Sequence, residues 1–216
     1  MIYAENILLC ITIPLLLTLM FLRRDARRFA ASFALGMGIC LLSAYISGYL
    51  DLVTGMGEND TAIFLSPVVE ELMKFLPLLV ALFLLESGDS ELVLYAVGIG
   101  AGFATFENCC HLLRAGADSL AFIMVRGLAV GVMHIVSMLT LALGLVIARR
   151  FHALSAPGII GALSLSMIFH ALYNLLVSGP GLSAAIGYAL PLLTALALYF
   201  LTRRITPAVP EHADTD

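Results

Sequence analysis

Charge is scarce in this chain. Asp, Glu, Lys and Arg together make up 12% of its 216 residues, about half the share of an ordinary soluble domain. With 61% hydrophobic residues and a mean hydropathy of +1.03, there is too little polar surface to cover a water-soluble core, so lipid must be the solvent. No basic patch of the nucleic-acid type exists, which excludes a nucleic-acid partner. The four cysteines, Cys10, Cys40, Cys109 and Cys110, lie in apolar segments without metal-type spacing. They read as small buried hydrophobes and imply no disulfide framework. HExxH is missing, and no serine sits in a recognisable nucleophile motif. There is no convincing internal repeat. Net charge is −4, but orientation in a membrane depends on where Lys and Arg sit.

What is present is a series of long apolar runs. A spanning helix needs about 20 mostly apolar residues. Residues 5–22, 29–50, 62–85, 92–113, 119–148, 157–177 and 182–202 satisfy this, which predicts an all-α, polytopic bundle of about seven helices. The connections are short and polar. The first run lacks a basic leader (Glu5 is acidic) and a small-residue cleavage site, so it reads as a retained helix. Basic residues cluster after the first span (Arg23, Arg24, Arg27, Arg28), the fifth (Arg149, Arg150) and the seventh (Arg203, Arg204). Seven helices put all three clusters on one side. The positive-inside rule makes that side cytoplasmic, with the N-terminus outside and the C-terminus inside. Residues 1–204 then form a single transmembrane domain, and 205–216 a short disordered cytoplasmic tail. Pro67, Pro77 and Pro157 are candidate points of bending.

Ionisable groups inside a bilayer are costly and need a partner or a function. The third span carries Glu70, Glu71 and Lys74, and the fourth carries Glu107. His134 lies in the fifth, and His170 and Asn174 in the sixth. A rise of about 1.5 Å per residue puts Glu107 about 24 Å from Glu91, and His134 about 22 Å from Arg149. The same rise puts His170 about 18 Å from Gly158 and Glu71 about 16 Å below Asp60. In a core about 30 Å thick, all four fall between the midplane and the outer face. Four helices thus deliver polar groups to one level, which scattered structural residues need not do. Lys74 can reach either Glu70 or Glu71, so one carboxylate pairs with it and the other faces a cavity. His170 and Asn174, four apart, share a helix face and could meet one substrate carbonyl. Gly98, Ala101 and Gly102 give the fourth span a small face for close packing.

This set suits peptide-bond hydrolysis. A buried carboxylate can serve as general base for water, and a histidine with an asparagine amide can stabilise an oxyanion. Alternatively His134, His170 and Glu71 could hold a divalent metal such as zinc that activates the water. Each group also has a structural reading. Glu70, Glu71 and Lys74 could be a neutralised ion pair, and Glu107 a partner of Arg126 or Lys74. The histidines and Asn174 could make only interhelical hydrogen bonds.

Taken in order, EExxxK at Glu70, Glu71 and Lys74, FxxxEN at Phe103, Glu107 and Asn108, then His134, then HxxxN at His170 and Asn174 resemble the PrsW family of intramembrane proteases. That family is related to the CAAX-protease and bacteriocin-immunity (CPBP) superfamily. The resemblance covers about residues 60 to 177. It implies a multi-pass protease of the bacterial cytoplasmic (inner) membrane that acts on a membrane protein or peptide, such as an anti-sigma factor-like substrate. By matching motif, Glu70 and Glu71 form the acidic pair, with Glu71 the first choice of base. His134 and His170 become the essential histidines and Asn174 the oxyanion donor. Lys74, Phe103 and Asn108 support them. Glu107 stands where the CAAX-protease branch has a histidine, which agrees with the PrsW branch. The function expected is an intramembrane endopeptidase of glutamic or metal-dependent type. The alternatives are a non-catalytic membrane scaffold or chaperone subunit, and an ion- or proton-coupled transporter.

Overall fold

The computed structural model describes residues 3–116, 119–151 and 155–205. The expected tail at 205–216 lies, past Ile205, outside the described residues. Among those described, every regular element is helical: α1 (Ala4–Thr18), α2 (Arg24–Thr54), α3 (Glu58–Asp60), α4 (Ser66–Phe83), α5 (Asp89–Ala115), α6 (Leu120–Arg150), α7 (Ser155–Ser178) and α8 (Leu182–Ile205). The three-residue α3 runs through a π-helical segment, Thr61–Leu65, straight into α4. These make seven rods, as the apolar runs predict, with no strand among the described residues.

Five rods, α2, α5, α6, α7 and α8, are long and apolar enough to cross a membrane. The other two fall short for different reasons. Helix α1 has only 15 residues. Helix α4 carries Glu70, Glu71 and Lys74 within its 18 residues. Its polarity belongs to the site it builds.

The core forms where α2, α4, α5 and α6 meet. Met37 and Cys40 pack there with Phe75 and Leu78, with Ile99, Phe103 and Phe106, and with Met138, Leu141 and Leu145. The backbones of α2 and α5 approach closely because α5 presents glycines. A Cβ added at Gly102 would sit 1.9 Å from the Phe33 carbonyl oxygen. One added at Gly98 would meet Ser32 Oγ at 1.9 Å. Lipid-like surroundings supply no hydrophobic drive between helices, so such close van der Waals contact is a principal adhesive.

Charges mark the two ends. At one end Arg28 of α2 bonds Glu91 of α5 at 2.7 Å. Arg149 and Arg150 of α6 both engage Asp89, the latter at 2.6 Å. The acidic connection after α4 thus lies among the arginines of its own end and is neutralised by them. At the opposite end Arg114 pairs with Glu58.

Candidate functional site

Helix α4 delivers the centre of the site. Glu71 and Lys74 are three residues apart on one helix face, and both are fully buried. Lys74 Nζ donates to Glu71 Oε1 at 2.6 Å and sits 2.8 Å from His134 Nδ1 on α6. An ammonium has only donors, so His134 Nδ1 must accept from it. The other ring nitrogen, Nε2, then carries the proton and donates to Glu107 Oε2 of α5 at 2.6 Å. Arg126 Nη2 of α6 donates to the remaining oxygen of Glu107 at 3.3 Å. Gly100 allows α5 to come this near, since a Cβ there would lie 2.8 Å from the His134 carbonyl oxygen.

The second histidine obeys the same logic. His170 Nδ1 of α7 lies 2.8 Å from Glu71 Oε1. An ionised carboxylate only accepts, so Nδ1 carries the proton. His170 Nε2 is left with its lone pair, 3.7 Å from Glu70 Oε2. Ser137 Oγ donates to Glu71 Oε2, and Ser166 Oγ braces the Ser137 carbonyl at 3.1 Å. Phe103 forms a wall: Lys74 Nζ is 4.7 Å from its ring centre, and the His134 ring lies 4.6 Å from it.

The two adjacent glutamates therefore differ in kind. Glu71 accepts from Lys74, His170 and Ser137 and is saturated. Glu70 Oε2 is buried and has no hydrogen-bond partner. A carboxylate oxygen left unpaired in a low-dielectric site is costly, and it is the one buried carboxylate oxygen of the cluster with capacity to spare. The site also holds three carboxylates, Glu70, Glu71 and Glu107, against two cations, Lys74 and Arg126. The excess negative charge suits a bound cation or a proton.

Glu70, His134 and His170 each offer a ligand atom within 4.8 Å of the others. The expected metal set named Glu71 in the place of Glu70; Glu71 Oε1 is taken by Lys74 and by His170 Nδ1, and Glu70 Oε2 is the carboxylate oxygen without a partner. Imidazole nitrogens with a carboxylate oxygen are an ordinary donor set for zinc-like metals. The pairing of each histidine with a second carboxylate, Glu71 or Glu107, is the usual outer support of such ligands. The orphaned Glu70 oxygen and the open His170 Nε2 fit a metal as they stand. His134 would exchange one of its present partners for it.

The remaining expected residues fall on either side of this cluster. Glu107, Lys74 and Phe103 join it. Asn108 does not: its Oδ1 is buried without a partner elsewhere on α5. Asn174, expected to point with His170 at a substrate carbonyl, instead donates from Nδ2 to the Ala62 carbonyl oxygen at 2.9 Å. Two contributors were not among the site candidates, Ser137 and Arg126. A serine near a cluster is common in membrane helices. Arg126 was expected only as a structural partner of Glu107, and that pair is present.

Residues 25–202 match the family described as PrsW family intramembrane metalloprotease. No curated protein and no solved structure is a significant match. The match spans six of the seven rods and every residue of the cluster, so the chain belongs to the PrsW family of intramembrane metalloproteases.

Proposed function

We propose that Glu70, His134 and His170 are the hydrolytic centre of this membrane protease, and that it cuts a peptide bond in or near a membrane-spanning segment of its substrate. The observation that carries the reading is the unpartnered, buried Glu70 oxygen beside a histidine whose Nδ1 is fixed by Glu71. This is how a reactive face is kept open while its supports are locked.

Glu70, His134 and His170 are the residues that would hold a divalent metal. Such an ion would supply Lewis-acid polarisation of the scissile carbonyl and of the attacking water. The chain's own groups do the rest. Glu71 and Glu107 hold the two imidazoles in register. Lys74 neutralises Glu71 and fixes the tautomer of His134. Where no ion is held, the Glu70 carboxylate accepts the proton from water as the water oxygen attacks the carbonyl carbon. When the C–N bond breaks, that proton goes to the leaving amine. Asn174 lies one turn from His170 and carries the amide best placed to face the oxyanion.

The family resemblance implies a bacterial cytoplasmic membrane, and the basic clusters favour an N-terminus outside, which puts the centre in the outer half of the bilayer. An anti-sigma factor-like single-pass protein is a substrate of the right form. The test is purified protein in liposomes with a single-pass membrane peptide. Wild-type protein should cleave it and His170→Ala should not. A His170→Ala protein that cleaves at the wild-type rate would sink the assignment.

A further inference from the structure

The turn leading into α4 leaves one carbonyl without a backbone donor. The Ser66 N–H donates to the Thr61 oxygen, five residues back. In an α-helix it would serve Ala62. The next residue, Pro67, has no N–H to offer. Neither the α register nor the π register therefore satisfies the Ala62 carbonyl, and a backbone carbonyl without a helical donor needs another partner. Asn174 Nδ2 of α7 supplies the missing donor at 2.9 Å. Asn174 lies one helical turn from His170, on the same face. The side-chain amide beside the hydrolytic centre is thus occupied by a carbonyl of the chain's own backbone.

A second contact holds this arrangement in place. Asp51 Oδ1, near the end of α2, accepts from the Thr61 hydroxyl at 2.8 Å and from the Gly57 N–H at 2.9 Å. The π segment is pinned at Thr61 by α2 and at Ala62 by α7.

We propose that the Ala62 carbonyl holds the place of a substrate carbonyl on Asn174, so that the Thr61–Leu65 segment is a displaceable stopper and its seam with α7 is where the substrate backbone docks. This rests on the protease reading above. It also defines the substrate. Within its span an intact transmembrane helix bonds its own carbonyls, so the segment accepted is one whose helix is broken by proline or glycine near the cleavage point. Docking exchanges one amide–carbonyl hydrogen bond for another, and no covalent step is involved.

The experiment compares wild type, Thr61→Val, Thr61→Ser and Pro67→Ala in liposomes. The probe is a synthetic single-pass peptide with a mid-span Gly-Pro break. Hydrogen–deuterium exchange of residues 58–66 is followed in parallel. Valine keeps the shape of threonine and removes only the hydroxyl donor to Asp51. Alanine at 67 restores a backbone N–H that can serve Ala62 and release Asn174. Both should raise kcat/KM by about 2- to 10-fold, chiefly through KM, which is what losing one hydrogen bond is worth. Thr61→Ser should behave as wild type, and exchange at 61–65 should quicken in Thr61→Val. A folded Thr61→Val protein with unchanged or lower kcat/KM overturns the proposal, because the segment is then a fixed strut. Exchange that does not quicken overturns it as well. A wild-type protein that cleaves no peptide instead overturns the protease reading, and the substrate's part here falls with it. The exchange rates then still decide whether the segment is latched by Thr61.

Discussion

Glu71 holds His170, and it does so through Nδ1 at 2.8 Å. This one bond separates the roles of two carboxylates that are neighbours in sequence. Glu71 is turned inward, toward Lys74, Ser137 and the near nitrogen of His170. Glu70 is turned toward the far nitrogen. The first organises the site and the second keeps a buried oxygen free of hydrogen-bond partners.

Glu71→Gln should therefore damage the fold as well as activity. It removes the countercharge of a fully buried lysine, and breaking such a pair from one side costs about 3–5 kcal/mol. Thermal unfolding in detergent should show a markedly lower midpoint for Glu71→Gln than for wild type. An unchanged midpoint would mean that Lys74 finds another partner.

Helix packing between α2 and α5 is open to a similar test. Gly102→Leu drives a side chain into the Phe33 carbonyl, and overpacking of this kind costs about 1–3 kcal/mol or more. Gly38, also on α2, has open space where its Cβ would be. Gly38→Ala should be neutral or stabilising by up to about 1 kcal/mol from helix propensity alone. The unfolding midpoint should fall in Gly102→Leu and hold level or rise in Gly38→Ala. Equal effects would show that close approach at Gly102 is not what holds these helices.

Much of this organisation was legible in the sequence. Seven apolar runs became seven rods, and the depth arithmetic for Glu71, Glu107, His134 and His170 predicted groups that converge. The choice between Glu70 and Glu71 was not legible, because Lys74 follows them by four and three residues and can reach either. Their difference arises from Ser137 and His170, which come from other helices. The place of Asn174 was hidden for the same reason. Its partner Ala62 is 112 residues away, and the need for that partner comes from a π turn followed by Pro67. Hydropathy also missed the length of α2. The apolar run covers 29–50, but the helix has 31 residues and spans roughly 46 Å at the usual helical rise, well beyond an apolar core of about 30 Å.

Metal content gives a prediction of its own. The donor set of Glu70, His134 and His170 should copurify with about one equivalent of a divalent metal, as a three-ligand catalytic site does. Elemental analysis should find it in wild type and find less in His170→Ala. A chelator should suppress cleavage, and added metal should restore it. Metal-free protein with chelator-resistant cleavage would leave Glu70 as a glutamic base acting alone.

The most direct measurement is peptide cleavage by Glu70→Gln in liposomes, with the unfolding midpoint recorded on a metal-stripped portion of the same sample. Glutamine keeps the shape of the side chain and removes its capacity to take a proton. Because Glu70 Oε2 has no hydrogen-bond partner to lose, the midpoint of metal-stripped protein should stay at the value of metal-stripped wild type. The cleavage rate should fall by about 10²- to 10⁴-fold, the usual contribution of a positioned base. A Glu70→Gln protein that cleaves like wild type would contradict the assignment of Glu70 to the hydrolytic centre.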